Sequence, residues 1–337
     1  MRDLFVIFLI LCSCAIVNAA EDNGSLRARF QAEAPSGWER LRTSSQSMSG
    51  SQTYTFWIDI ADPKEEGFGK DYFAKQTRHF VVADGAGKIC IDSYDRSGKW
   101  LGRNVQAFNP KYAFTARQVV SEGPYSLTQY GRTNDIMNRA GLEVSRASAW
   151  AAISYRGWWH LPLPELIKQS YCKVLTCEPV SRGGNEFVEV VLSYGPTTLA
   201  ATQDPSPRLT TLILDPRASW RVVSDITMTG KETDSVEVHY VEGGNAAQVA
   251  KVEHTVTYVN KTKTGHEVME FDSLSYHPLS AESAEFDVSS LGFPKLESIE
   301  KSARSDRVRY LLWTAVIIVA VLILYLRRKT RDVTSHA

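Results

Sequence analysis

The sequence predicts a mainly β (α+β) chain: a large curved antiparallel sheet or half-barrel with a helical insert, plus one C-terminal transmembrane helix. Three observations predict it. Runs of alternating apolar and polar residues recur from Thr53 onward, separated by short turns rich in Gly, Asp and Asn. The stretch Thr133–Ser170 replaces that alternation with helical spacing and concentrates tryptophan. A charge-free apolar run, Tyr310–Leu326, stands near the end of the chain.

The strands come first. Tyr54, Phe56, Ile58 and Ile60 fall on one face of a strand, with Thr55 and Asp59 on the other. His79–Ala83 and Lys88–Tyr94 flank Asp84-Gly85-Ala86-Gly87, a hairpin turn. Further strands are predicted at 111–119, 124–131, 173–181, 186–194, 208–214, 219–229, 234–242, 248–259, 266–276 and 284–289. Val188, Val190, Leu192 and Tyr194 make one clean row. Trp220, Val222, Ser224, Ile226 and Met228 make a second, opposite Arg221, Asp225 and Thr227, and Val252, His254, Val256 and Tyr258 a third. One buried and one wet face mark an antiparallel sheet. No long helix separates successive strands, which argues against a parallel βαβ fold.

In the insert, 134–170, Ile136, Ala140, Val144, Ala147 and Ala151 recur at helical spacing after Asn134, a suitable N-cap. Gly157 ends that stretch, and Pro164 opens a short second helix running to Gln169. Its apolar surface must be buried, and the concave sheet face is the place to bury it. Trp150, Trp158, Trp159, Leu161, Leu166 and Ile167 are therefore the candidate lining of an apolar groove. Trp158 and Trp159 point in different directions, so one anchors the insert while the other lines an opening.

Two apolar segments set the compartment. Leu4–Val17 followed by Asn18-Ala19-Ala20 and a polar start reads as a signal peptide, 1–19. An uncleaved anchor, or lipid attachment at Leu11-Cys12-Ser13-Cys14, are the other readings of that segment. Residues 20–50 form a polar lead-in with little periodicity, a tether or a first short helix. The β domain occupies 51–294 and a charged stalk 295–309. The span 310–326 reaches roughly 26 Å at about 1.5 Å per residue, enough for a thin hydrocarbon core. Arg327, Arg328, Lys329 and Arg331 follow in a tail, 327–337. Lys301, Arg304, Arg307 and Arg309 precede the span, so flanking charge does not orient it. The signal peptide does, placing a single-pass protein in the cell membrane with its main domain outside the cytoplasm.

Composition narrows the partners. Of 337 residues, 38 are Lys or Arg and 38 Asp or Glu, so zero net charge gives no reason to propose a nucleic-acid partner. An apolar fraction of 43% excludes a mainly disordered chain. Cys12 and Cys14 leave with the signal peptide. Cys172 and Cys177 are a candidate disulfide only if a bulge or turn brings their Cα atoms within about 7 Å. Cys90 reads as a buried thiol. His79, His160, His239, His254, His266 and His277 show no HExxH or Cys-His spacing and read as sheet-surface residues, so no metal is assigned. Gly85-Ala86-Gly87-Lys88 lacks the spacing of a phosphate loop, and no GxSxG elbow exists. No catalytic residue and no cofactor are assigned.

Tyr112-Ala113-Phe114-Thr115, Tyr125-Ser126-Leu127-Thr128, and Leu212-Ile213-Leu214-Asp215-Pro216 before Trp220-Arg221-Val222-Val223 carry a further signal. Together with an export segment and one helical insert, they resemble the bacterial lipoprotein-carrier (LolA-like) half-barrels in architecture and rhythm over residues 50–290. The resemblance implies an apolar concave surface under helices and a lipid or lipoprotein partner. With the membrane anchor, it yields a tethered extracytoplasmic binding module for lipid or acylated ligands, or an envelope sensor. The alternatives are a non-catalytic envelope scaffold or protein-interaction domain, and an enzyme whose site is assembled from distant residues.

Overall fold

Alternation this persistent has one economical solution, and the chain adopts it. The computed structural model describes residues 24–60, 73–132, 149–156, 162–195, 208–258, 263–276 and 279–294. Among them, thirteen strands pair into one curved antiparallel sheet. They are β1 (Met48–Ile60), β2 (Phe73–Ala83), β3 (Ala86–Tyr94), β4 (Trp100–Phe108), β5 (Tyr112–Gln118), β6 (Ser126–Arg132), β7 (Cys172–Arg182), β8 (Asn185–Tyr194), β9 (Arg208–Asp215), β10 (Arg221–Met228), β11 (Glu232–Tyr240), β12 (Val249–Tyr258) and β13 (Lys263–Tyr276). The spatial order is β6-β5-β4-β3-β2-β1-β13-β12-β11-β10-β9-β8-β7. One meander runs outward from β1 and a second runs back to it, so first and last strands meet in the middle. Tight turns make this possible. Gly183 and Gly184, both at positive φ (57° and 77°), close the β7–β8 hairpin in two residues.

Residues 24–44, part of the predicted polar lead-in, form a helix, α1. Phe30, Ala34, Trp38 and Leu41 are its buried residues in the core cluster, a stripe at helical spacing within an otherwise polar segment. Gly37 faces the turn between β9 and β10. A Cβ there would stand 2.6 Å from the Ser219 carbonyl oxygen, so glycine sets how closely α1 approaches. In that turn Ser219 and Trp220 both take left-handed φ, 61° and 60°. For a bulky residue this is strained by about 1–2 kcal/mol. It is held by burial of the Trp220 indole and by Trp38 Nε1, which donates to the Trp220 carbonyl at 2.7 Å. Phe30 packs edge-on against both tryptophans.

Strand β4 was not expected, and 284–289 is two 3₁₀ turns, Ala284–Phe286 and Val288–Leu291, in place of a strand. The chain divides into two compact units at Phe286. In the second, Asp287 caps the Val288–Leu291 turn by accepting from Ser289 N at 2.8 Å. Among the described residues no helix is long and apolar enough to cross a membrane. The signal peptide, stalk, span and tail lie outside them.

Candidate functional site

Registers between neighbouring strands place one set of side chains on the face that α1 covers, here the inner face. Its closed sector spans β8–β12. Val188, Val190, Leu192, Leu212, Leu214, Val222, Val236, Val238 and Val252 are all buried there, in one cluster with α1 and with Trp150–Ile153 and Tyr155 of the insert. The sector over β13, β1, β2, β3 and β4 differs. Met48, Phe80, Ile89 and Met269 are buried, but Phe271, Tyr54, Phe56, Val82 and Phe108 are only half-buried.

A row of polar side chains crosses both sectors. His254 of β12 is 2% exposed and lies between two carboxylates. Its Nε2 is 3.2 Å from Asp234 Oδ1 of β11, and its Nδ1 is 3.1 Å from Glu267 Oε2 of β13. Glu267 Oε1 accepts from the Tyr54 hydroxyl of β1 at 2.9 Å. Arg78 of β2 lies 3.8 Å over the Tyr54 ring and donates from Nε and Nη2 to Gln76 Oε1. Toward the other side, Thr227 donates to Asp225 at 2.9 Å, and its hydroxyl bonds that of Thr210, which in turn meets Tyr194. These residues sit on eight adjacent strands, β2 through β8 in sheet order.

An imidazole with a carboxylate oxygen at each nitrogen needs two N–H donors, which only the imidazolium has. Burial works against that charge, but the hydrogen bonds to Asp234 and Glu267 outweigh it, and the His254 pKa is raised above its ordinary value. The ring of Trp150 packs on His254 with centroids 5.3 Å apart.

A bulge explains what alternation alone misplaced in β10. The register shift between Val222 and Ser224 inserts a residue in β10. Asp225 and Thr227, predicted on the wet face, are therefore inside and 1% exposed, while Met228 of the predicted apolar row is 41% exposed. His254, read as a surface residue, is buried. In β7 a bulge does lie between Cys172 and Cys177, as a disulfide would require. The strand nevertheless carries them apart at about 3.3 Å per residue. Both are free thiols, and burial pushes Cys177 up to about 11.

Of the predicted groove residues, Trp150 and Leu166 are core, 4% and 2% exposed. Ile167, beyond the Leu163–Leu166 helix with Pro164 in its first turn, packs on that core and lines a surface cleft of about 550 Å³. The cleft lies between α1 and edge strand β7, with Arg27, Lys168 and Lys173 on its walls. Trp158, Trp159 and Leu161 lie outside the described residues. The half-buried aromatic face at Tyr54 and Phe56 coincides with the first alternating row of the sequence. The polar row was missed because its members come from eight strands, and sequence cannot pair them. Among the described residues no three His, Cys, Asp or Glu side chains are grouped to hold a metal ion.

No family model matches the chain, and no curated protein does. Solved structures are similar, three of them as follows. A Vibrio parahaemolyticus domain named for outer membrane lipoprotein sorting is 8% identical, covering 77% of this chain and 98% of its own, at TM-score 0.38. A DUF1329 family protein from Desulfovibrio piger is 11% identical over 77% and 99%, also at 0.38. MucB, solved in complex with MucA(peri), is 11% identical over 73% and 99%, at 0.13. The likeness is one of architecture, and at these scores it carries no argument about what the chain binds.

Proposed function

We propose that this chain is a membrane-tethered extracytoplasmic binding module for an amphiphile, a lipid or an acylated partner, with no catalytic role. The observation that carries the reading is the inner face over β13, β1 and β2. There, half-buried Phe271, Tyr54, Phe56 and Val82 adjoin a polar row of Arg78, Glu267 and His254. An apolar wall adjoined by fixed charges and hydroxyls matches a ligand with a chain and a head group. The roof over the neighbouring sector is a helix and part of an insert, not a second sheet. The span read at 310–326 and the signal peptide supply the tether and the compartment.

The test uses the full chain in nanodiscs, with empty nanodiscs as background, and a dansylated fatty acid as probe. Wild type takes up the probe. Phe271→Asp, which puts a charge on the half-buried wall, weakens uptake by about tenfold, a loss of about 1.4 kcal/mol. Its melting temperature falls less than that of a substitution in the closed sector, because the residue is only partly buried. If wild type takes up no probe, the scaffold reading stands instead, and the filled β8–β12 sector is what favours it.

A further inference from the structure

Gln52 of β1 is fully buried on the inner face, and neither its Nε2 nor its Oε1 has a hydrogen-bond partner. It stands where the apolar wall meets the polar row. Its Cα partners are Phe271 on β13 and Arg78 on β2. Nearby polar groups are engaged elsewhere. Arg78 gives two donors to Gln76 and stacks on Tyr54, and the Tyr54 hydroxyl belongs to Glu267. On the apolar side, Phe80 and Met269 offer the amide nothing. Burying a donor and an acceptor without partners is costly, and folded chains rarely do it.

We propose that Gln52 reads the amide group of an N-acylated ligand whose chain lies along the Phe271–Val82 wall. The inference rests on the amphiphile-binding reading above. A primary amide presents N–H donors and a carbonyl acceptor. A secondary amide answers both, with its own carbonyl and its own N–H. An ester or a carboxylate brings acceptors only and leaves Gln52 Oε1 unpaired. A plain alkyl chain answers neither. Because Gln52 is fully buried, an amide reaches it only by displacing side chains packed over it.

Two ligands that differ by one atom test this on the full chain in nanodiscs: N-lauroylglycine, and O-lauroylglycolate, in which oxygen replaces the N–H. Each competes with the dansylated probe. Wild type prefers the amide by about tenfold, the ratio that about 1.4 kcal/mol supplies. Gln52→Met, similar in volume, binds both ligands equally and melts no lower than wild type, since it removes two unpaired polar atoms. Equal binding of the two by wild type overturns the proposal. So does an amide preference that survives in Gln52→Met. A lower melting temperature in Gln52→Met with selectivity unchanged shows that water satisfies the amide, and also overturns it. If neither ligand competes while the probe still binds, the N-acyl assignment fails alone. If the probe does not bind either, the amphiphile reading has failed with it.

Discussion

The closed sector of the inner face, β8–β12, and the half-buried sector, β13–β4, are built from the same alternating strands and differ in what lies on them. Over β8–β12, Trp38, Phe30 and the described part of the insert share one core cluster with the sheet, and Leu192, Leu212 and Val222 are no more than 1% exposed. Over β13 and β1, equally apolar positions such as Phe271 and Phe56 remain half-buried. Alternation fixes which side chains point inward. The cover decides whether an inward row is fully or only partly buried. The difference predicts that substitutions of similar size cost much stability in one sector and little in the other.

The largest effect belongs to the closed sector. Trp38→Ala removes a fully buried indole and the hydrogen bond that holds Trp220 in its left-handed conformation. It is expected to cost about 4 kcal/mol, read from chemical denaturation of the full chain. A cost near that of Phe271→Ala would erase the distinction between the sectors.

Next comes His254, on the polar row that joins them. His254→Leu leaves Asp234, 2% exposed, without its cation and is expected to cost about 3 kcal/mol. The wild-type contribution also depends on pH. The folded pKa is raised, so the stabilisation is complete below the ordinary histidine value of about 6.5. It is lost as pH rises through the folded value. Melting temperature should therefore fall from pH 6 toward alkaline pH in wild type, and the slope should flatten in His254→Leu. Parallel profiles for the two proteins would remove the imidazolium from the account.

Gly37→Ala is a smaller probe of the roof. The added methyl meets the Ser219 carbonyl, and pushing α1 outward is expected to cost about 2 kcal/mol. Increased probe uptake in this variant would sharpen the comparison, because a lifted roof extends the open sector. The smallest effect is Arg42→Ala. Its ion pair with Glu165 at 2.8 Å ties α1 to the insert but is about a third exposed, and its loss is expected to cost below about 1 kcal/mol.

Much of this fold was legible in the sequence. The row Val188, Val190, Leu192 and Tyr194 is inside as alternation requires, and Pro164 stands in the first turn of a short helix, which begins at Leu163 and ends at Leu166 short of Gln169. What failed to show has physical causes. Helix α1 carries only four fully buried apolar side chains among 21 residues, too sparse a stripe to stand out from a polar tether. Strand β4 hides because Asn104 and Gln106 occupy its inward positions beside Ile91 and Ile89, while Val105 and Ala107 are buried on the opposite face. The β10 bulge moved two polar residues inside, and a bulge leaves no local mark in composition. Of the insert's expected groove residues that are described, Trp150 and Leu166 are core, and a half-buried apolar face lies at Tyr54, Phe56 and Phe271.

The central claim is that the half-buried sector holds an amphiphile, and native mass spectrometry of the full chain tests it most directly. Released from nanodiscs under gentle activation, the protein should retain a stoichiometric adduct of acyl-chain mass, and Phe271→Asp should lose it. A bare wild-type mass under conditions that preserve a known lipid adduct on a control protein would contradict the account.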